Sequence, residues 1–177
     1  VVREHPGGAR GAAPPPVGRT KTLPPAVEQL LGQRREPDVF VVLKPDLGRV
    51  RKLWVEGAAS FVTEFVSEFN EREDRVVKFL AYAAAGIREY LLIDAREGHD
   101  GFAFYRLNAA GQYEWVQPDA HGRYHSEVLP GFWLKAEWFR QDPLPIVDDL
   151  IFEIAPEAYE AWLLERIRVR REQSGPH

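Results

Sequence analysis

Cysteine is absent from the 177 residues, and so is methionine. The first absence excludes disulfides, thiolate metal ligands and a cysteine nucleophile. No apolar run is long enough to cross a bilayer, and no charged start followed by an apolar stretch marks a signal peptide. The expected location is the cytoplasm. Without Met at position 1, the chain is expected to be processed, a fragment, or begun at a non-standard start codon. Excess positive charge is lacking too: the formal net charge is −4 and the pI near 5.8, so the broad basic footprint of many nucleic-acid binders is missing. A metal-dependent nuclease stays open, because it needs local carboxylates. Lysine is scarce, with 5 Lys among 23 basic residues, so a well-placed lysine stands out. There is no glycine-rich phosphate loop and no Gly-x-Ser-x-Gly elbow, and His121 and His125, four residues apart, fall in an expected turn and strand rather than on a helix, so no zinc site is expected.

What is present is a domain-sized chain, 45% hydrophobic and 12% aromatic, long enough for one real core. Residues 1–25 hold ten Pro or Gly and no apolar periodicity. Residues 1–34 are therefore expected to be largely disordered, with a short helix at AVEQLLGQ. The core is expected over 35–146 and a helical extension over 147–177. Within the core, DVFVVL (38–43) and SFVTEFVS (60–67) read as strands, the second apolar on both faces and so central. NEREDRVVKFLAYAAAGI reads as a helix, capped by Asn70 and stopped by Gly86. EYLLID (89–94) is another strand. FAFYRL and QYEWVQ, joined by NAAG, read as a hairpin. SEVLPGFWLKAEWF adds a strand pair or a strand and turn, and APEAYEAWLLERIRVRRE reads as an amphipathic helix. Strands lead and helices interrupt, which gives an α/β or α+β domain with a mixed sheet. Trp115, Trp133 and Trp138 are expected in core packing rather than base stacking, and the C-terminal arginines at a solvated helix end.

One residue conflicts with its surroundings. Glu64 interrupts an apolar strand, where an unpaired acid costs several kcal/mol. If the first two strands run antiparallel, Asp38 at the start of one lies beside Glu64 late in the next. Two adjacent carboxylates resist joint ionisation unless a cation sits between them. Mg²⁺ prefers such oxygen ligands and can activate a bound water. Asp74, Lys78 and Tyr82 share a helix face at i, i+4, i+8, beside an apolar side formed by Val76, Leu80 and Ala83. If that polar face looks back over the strand end, Lys78 reaches the carboxylates. Plainer readings stay open: Asp38 as turn chemistry after Pro37, Lys78 as a surface partner of Asp74, and Glu64 at an edge or paired with an arginine.

The stretches REPDVFVV, EGAASFVTEFVS, REDRVVKFLAYAAAGIREYLLID and FYRLNAAGQYEWVQPDAHGRYHSEVLPGFWLKAEWFRQDPLP carry a family resemblance over about residues 35–146. They resemble the bacterial Uma-two family of restriction-endonuclease-like proteins, in the PD-(D/E)XK nuclease superfamily. The resemblance implies a restriction-endonuclease-like core, a mixed sheet flanked by helices with the site at one sheet edge. It implies DNA phosphodiester hydrolysis with Mg²⁺ or Mn²⁺, with Asp38 and Glu64 as metal-binding catalytic residues and Lys78 as the catalytic lysine. A homodimer would suit cleavage of two strands. The strand position usual for that lysine is Val66, and Lys78 matches a lysine migrated into the following helix. Ser60 stands where relatives carry an Asp. The Pro/Gly-rich segment takes the place of a longer upstream region, so an N-terminally truncated or divergent member is expected. The alternatives are a catalytically inactive remnant of the same fold acting as a binding or assembly module, and a small sheet domain used for protein association.

Overall fold

The computed structural model describes residues 36–52, 54–67, 73–94, 96, 99 and 101–174. The expected N-terminal disorder, the AVEQLLGQ helix and the Asn70 cap lie outside the described residues, as does the side chain of Asp74. The chain divides into two compact units between Val116 and Gln117.

The first unit is built on a mixed five-stranded sheet in the order β1-β2-β3-β4-β5. Strand β1 is Val39–Val41, β2 Phe61–Phe65, β3 Glu89–Asp94, β4 Gly101–Leu107 and β5 Tyr113–Trp115. Only the β2–β3 pair is parallel. Parallel neighbours need a crossover, and the helix that supplies it is π-wound over Glu73–Lys78 and continues as α1, Phe79–Ala85. Gly86 ends it at φ 83°, a left-handed conformation that a residue without Cβ adopts freely.

Strand β3 is buried along its whole length, as an apolar run between two partners should be. On the α1 side, Val62, Val66, Tyr82, Ile87, Tyr90, Leu92 and Tyr105 form the core. Aromatic rings tie helix to sheet: Tyr82 meets Tyr90 at 5.4 Å and Phe79 meets Tyr105 at 4.9 Å between centroids, both edge-on. Such pairs add about 0.5–1.5 kcal/mol each beyond area burial. The opposite face carries Phe61 against Phe104 at 5.8 Å. The NAAG turn forms as expected between β4 and β5: the Asn108 side-chain oxygen accepts from the Ala110 and Gln112 amides.

The helix departs from its expected phase. Val76 is 48% exposed, while Ala81 and Tyr82 are buried and Phe79 packs on the core. A π-turn takes more residues per revolution than an α-turn, so the 3.6-residue count taken across Glu73–Lys78 misplaces Val76.

The second unit contains a two-stranded sheet, β6 Arg123–His125 with β7 Trp133–Lys135. Trp133 and Trp138 are buried and meet at 5.3 Å. Trp115 packs against the core of the first unit; all three tryptophans are packing residues. Two helices follow, α2 Val147–Ile154 and α3 Pro156–Ser174. The amphipathic expectation for the last helix needs correction. Trp162, Leu163, Leu164, Ile167 and Val169 are all at least partly exposed and spread around α3, because consecutive apolar residues in WLL cannot share one face at 100° per residue. The shorter α2 is the amphipathic one, with Val147, Leu150, Ile151 and Ile154 at helical spacing. Among the described residues, no helix is long and apolar enough to cross a membrane.

Candidate active site

Glu64 is fully buried on the α1 side of β2. A carboxylate there needs partners for both oxygens. Lys78 supplies one: its Nζ donates to Oε2 at 2.8 Å. Tyr82, one turn further on, donates its hydroxyl to Oε1 at 2.5 Å. Burial pushes the Glu64 carboxyl above the ordinary carboxylate range, and the hydrogen bonds from Lys78 and Tyr82 pull it back. The negative charge of Asp38 adds to the upward push.

Asp38 reaches this place because β1 is antiparallel to β2. Val39 pairs with Thr63, so one step further along the ladder Asp38 faces Glu64. The Asp38 carboxylate accepts the Phe65 amide at 2.7 Å, which pins it to the end of β2. The structure thus gathers Asp38, Glu64 and Lys78 around one end of β2.

The two departures within the motif also have structural accounts. Val66, at the position usual for the lysine, is 6% exposed and belongs to the core. An ammonium in that apolar cluster would be costly, whereas Lys78 enters from the helix with its charge on Glu64. Ser60 is buried, and its amide extends the β1–β2 ladder to the Val41 carbonyl at 2.8 Å.

A second ionic cluster lies on the same face. Leu92 pairs with Glu64 across the parallel ladder, and Asp94 stands two residues further on. Its buried carboxylate receives Arg96 through Nε at 2.8 Å and Nη2 at 2.7 Å, and Arg75 Nη2 at 2.5 Å. Gly101 faces Asp94 on β4, where a Cβ would come within 2.5 Å of the Asp94 Cβ. Arg75 stands one turn before Lys78, so this cluster anchors the start of the helix that carries the lysine.

Hydrogen bonds from Arg96 hold the Asp94 carboxyl at about 2, below its usual 3.8. Its stabilisation is therefore complete above the ordinary value and lost as pH falls through about 2. A shift of that size corresponds to roughly 2 kcal/mol. Urea melts of wild type and Asp94→Asn are expected to converge as pH falls from about 5 to about 2. A gap that stays constant with pH would refute the assignment.

Neither Arg75 nor Asp94 is singled out by sequence. Asp94 closes the strand EYLLID, where an acid passes for a strand end; Glu89 opens it and is equally buried, paired with Arg106 at 3.2 Å. The reasoning applied to Glu64 would have found both, because acids bracketing a fully apolar run face the same desolvation cost. Tyr82 was placed on the right face without a role.

The donor set fits a hard divalent cation that keeps several waters. Mg²⁺ is held by one or two carboxylates together with water and substrate phosphate. Asp38 and Glu64 offer two carboxylates, and each oxygen that accepts one hydrogen bond retains a further lone pair. Among the described residues, no three His, Asp or Glu side chains form a full protein cage.

A family model described as "Putative restriction endonuclease" matches residues 17–137. The chain belongs to this family, Uma2. The match spans all five strands of the first sheet and both strands of the second. It also begins upstream of the stretch on which the resemblance was drawn, within the Pro/Gly-rich segment. A search of curated proteins found no match. Membership in Uma2 makes a nuclease the expected class of activity, and the Asp38, Glu64 and Lys78 cluster lies inside the matched residues.

Proposed function

We propose that the chain is a Mg²⁺-dependent endonuclease that hydrolyses DNA phosphodiester bonds, with Mn²⁺ as a substitute. The observation that carries this reading is the Lys78 ammonium 2.8 Å from a fully buried Glu64 beside Asp38. A surface ion pair needs no such burial, and a core needs no such charge.

Asp38 and Glu64 would hold the metal. Bound there, the metal would polarise the phosphodiester and lower the pKa of a coordinated water. Burial makes the Glu64 carboxylate hard to ionise alone, so a cation beside it is favoured. Lys78 keeps a positive charge next to the carboxylates, where it can orient the attacking water or offset charge developing on phosphorus. Tyr82 fixes the carboxylate orientation from the opposite oxygen. Cleavage would be hydrolytic, without a covalent intermediate.

Supercoiled plasmid incubated with purified protein is expected to be nicked with Mg²⁺ or Mn²⁺ and to survive in EDTA. Asp38→Asn keeps an acceptor for the Phe65 amide but loses the charge. It is expected to raise the metal concentration for half-maximal nicking by at least the ~10-fold typical of even indirect partners of a metal site. Absence of metal-dependent nicking by the wild type would overturn the proposal and leave the fold as a binding or assembly module.

A further inference from the structure

A chain without a broad excess of positive charge makes a local one informative. Between Asp38 and Glu64, the connection from β1 to β2 holds Lys44, Arg49, Arg51 and Lys52 against Asp46 and Glu56, four cations to two acids in a chain of net charge −4. Two of the five lysines stand here. Lys44, Arg51, Lys52 and Trp54 are exposed.

The connection is a built hairpin. A 3-10 turn over Lys44–Arg49 leads into a bridge between Val50 and Val55. The Arg51 amide donates to the Trp54 carbonyl at 2.7 Å and the Glu56 amide to the Arg49 carbonyl at 2.9 Å, so Lys52 falls in the bend at the tip. Arg51 grips the Glu56 carboxylate through Nε at 3.0 Å and Nη2 at 2.6 Å, and its Nη1 donates to the Gly48 carbonyl at 2.6 Å. Arg49 lies 3.3 Å from Asp46. Both acids of the hairpin are thus held by arginines, which fix its shape. Lys44 and Lys52 have no acid partner among the described residues. An ammonium on a flexible stem is a point charge suited to phosphate.

One ladder ties the hairpin to the site. Asp38 and Glu64 stand at one end of the β1–β2 pair. At the other end the Ser60 amide donates to the Val41 carbonyl at 2.8 Å, and the hairpin lies beyond it. Lys44 is six positions from Asp38, so the two lie within about 20 Å. A duplex rises about 3.4 Å per base pair, which makes that span roughly six base pairs.

We propose that the 44–56 hairpin is a DNA-backbone contact, its Lys44 and Lys52 ammoniums meeting phosphates of a duplex that runs along β1 from the bond held at Asp38 and Glu64. This rests on the nuclease reading for the bond it serves, while the binding itself needs no metal. Such contacts position the duplex and carry no sequence preference.

Anisotropy of a short fluorescein-labelled duplex, titrated with the full chain in EDTA at several salt concentrations, tests this. Lys44→Gln with Lys52→Gln is expected to lower the slope of log affinity against log salt by about 1.8, and the affinity in about 0.1 M salt by about 60-fold. Lys44→Arg with Lys52→Arg keeps both charges and is expected to bind as the wild type does. Arg170→Gln with Arg171→Gln removes the same charge from α3 and is expected to leave the slope unchanged. A slope untouched by the glutamine exchanges, an equal fall in the α3 protein, or binding to phosphatidylserine vesicles but not to the duplex would each overturn the proposal. Plasmid nicking separates the two readings. Nicking by the wild type with a slope that the glutamine exchanges leave intact would sink the hairpin alone. A slope that falls while plasmid stays intact would remove the nuclease and leave the hairpin as a DNA contact.

Discussion

Glu64→Gln is expected to fold and to lose metal-dependent plasmid nicking by a factor on the order of 10³. Glutamine keeps the size of the side chain in a site that is fully buried. Its amide oxygen can accept from Lys78 and its NH₂ can donate to the Tyr82 oxygen, so the Lys78 and Tyr82 contacts of Glu64 each retain a counterpart. What glutamine cannot keep is the negative charge. A divalent cation bound by one carboxylate instead of two loses several kcal/mol of attraction in a site shielded from water, and each 1.36 kcal/mol is a factor of ten in rate. Circular dichroism and a thermal melt establish the fold, and gel quantitation of nicked plasmid gives the rate. Equal nicking by wild type and Glu64→Gln would remove Glu64 from the chemistry. A nick that persists in EDTA would remove the metal.

Lys78→Met should cost about 3 kcal/mol of stability at neutral pH, toward the low end for breaking a buried pair because the Lys78 side chain is 17% exposed. Methionine matches the length of the lysine stem but leaves the Glu64 carboxylate with the Tyr82 hydroxyl and no ammonium. The Glu64 carboxyl is already raised by burial, and losing the ammonium raises it further. An acid with a raised folded-state value contributes stability below its unfolded value and loses it as pH rises through the folded one. The penalty is therefore expected to shrink as pH falls toward the ordinary carboxylate range, because the buried acid takes up a proton before an exposed one does. Urea unfolding at two pH values measures this. In the Glu64→Gln background the same substitution should cost less than half as much, since no charge is stranded. A cost unchanged between the two backgrounds would mean that Lys78 acts by packing alone.

The parts legible in sequence are those with a strong local signal. EYLLID forms a strand over Glu89–Asp94 because a continuous apolar run ended by turns has few alternatives. Glu64 is conspicuous because its charge opposes its surroundings, and Asp38 follows from an antiparallel pairing of the two strands. Lys78 reaches Glu64 although the helix phase was misread. Lys78 and Tyr82 meet Glu64 from the expected polar face, while Val76, expected on the buried side, is half-exposed. No residue preference announces a π-turn, so the shift and the Arg75–Asp94 pair that accompanies it were hidden. The helix over Val147–Ile154 was covered only by a general expectation of a helical extension, since VDDLIFEI sits between prolines in a stretch too short for a firm period.

The lysine of this site belongs to a helix rather than to the strand that carries the acid. Sheet and helix need not open together. The backbone ladders of β2, β3 and β4 can persist while a short segment from Glu73 to Ala85 detaches, because its hold on the sheet consists of side-chain contacts: aromatic packing, the Tyr82–Glu64 hydrogen bond and the ion pairs of Arg75 and Lys78. Local opening of that kind has its own free energy, smaller than that of global unfolding. The fraction of molecules with Lys78 in place at a given temperature is then set by this one segment, and warming should dismantle the site before it melts the protein.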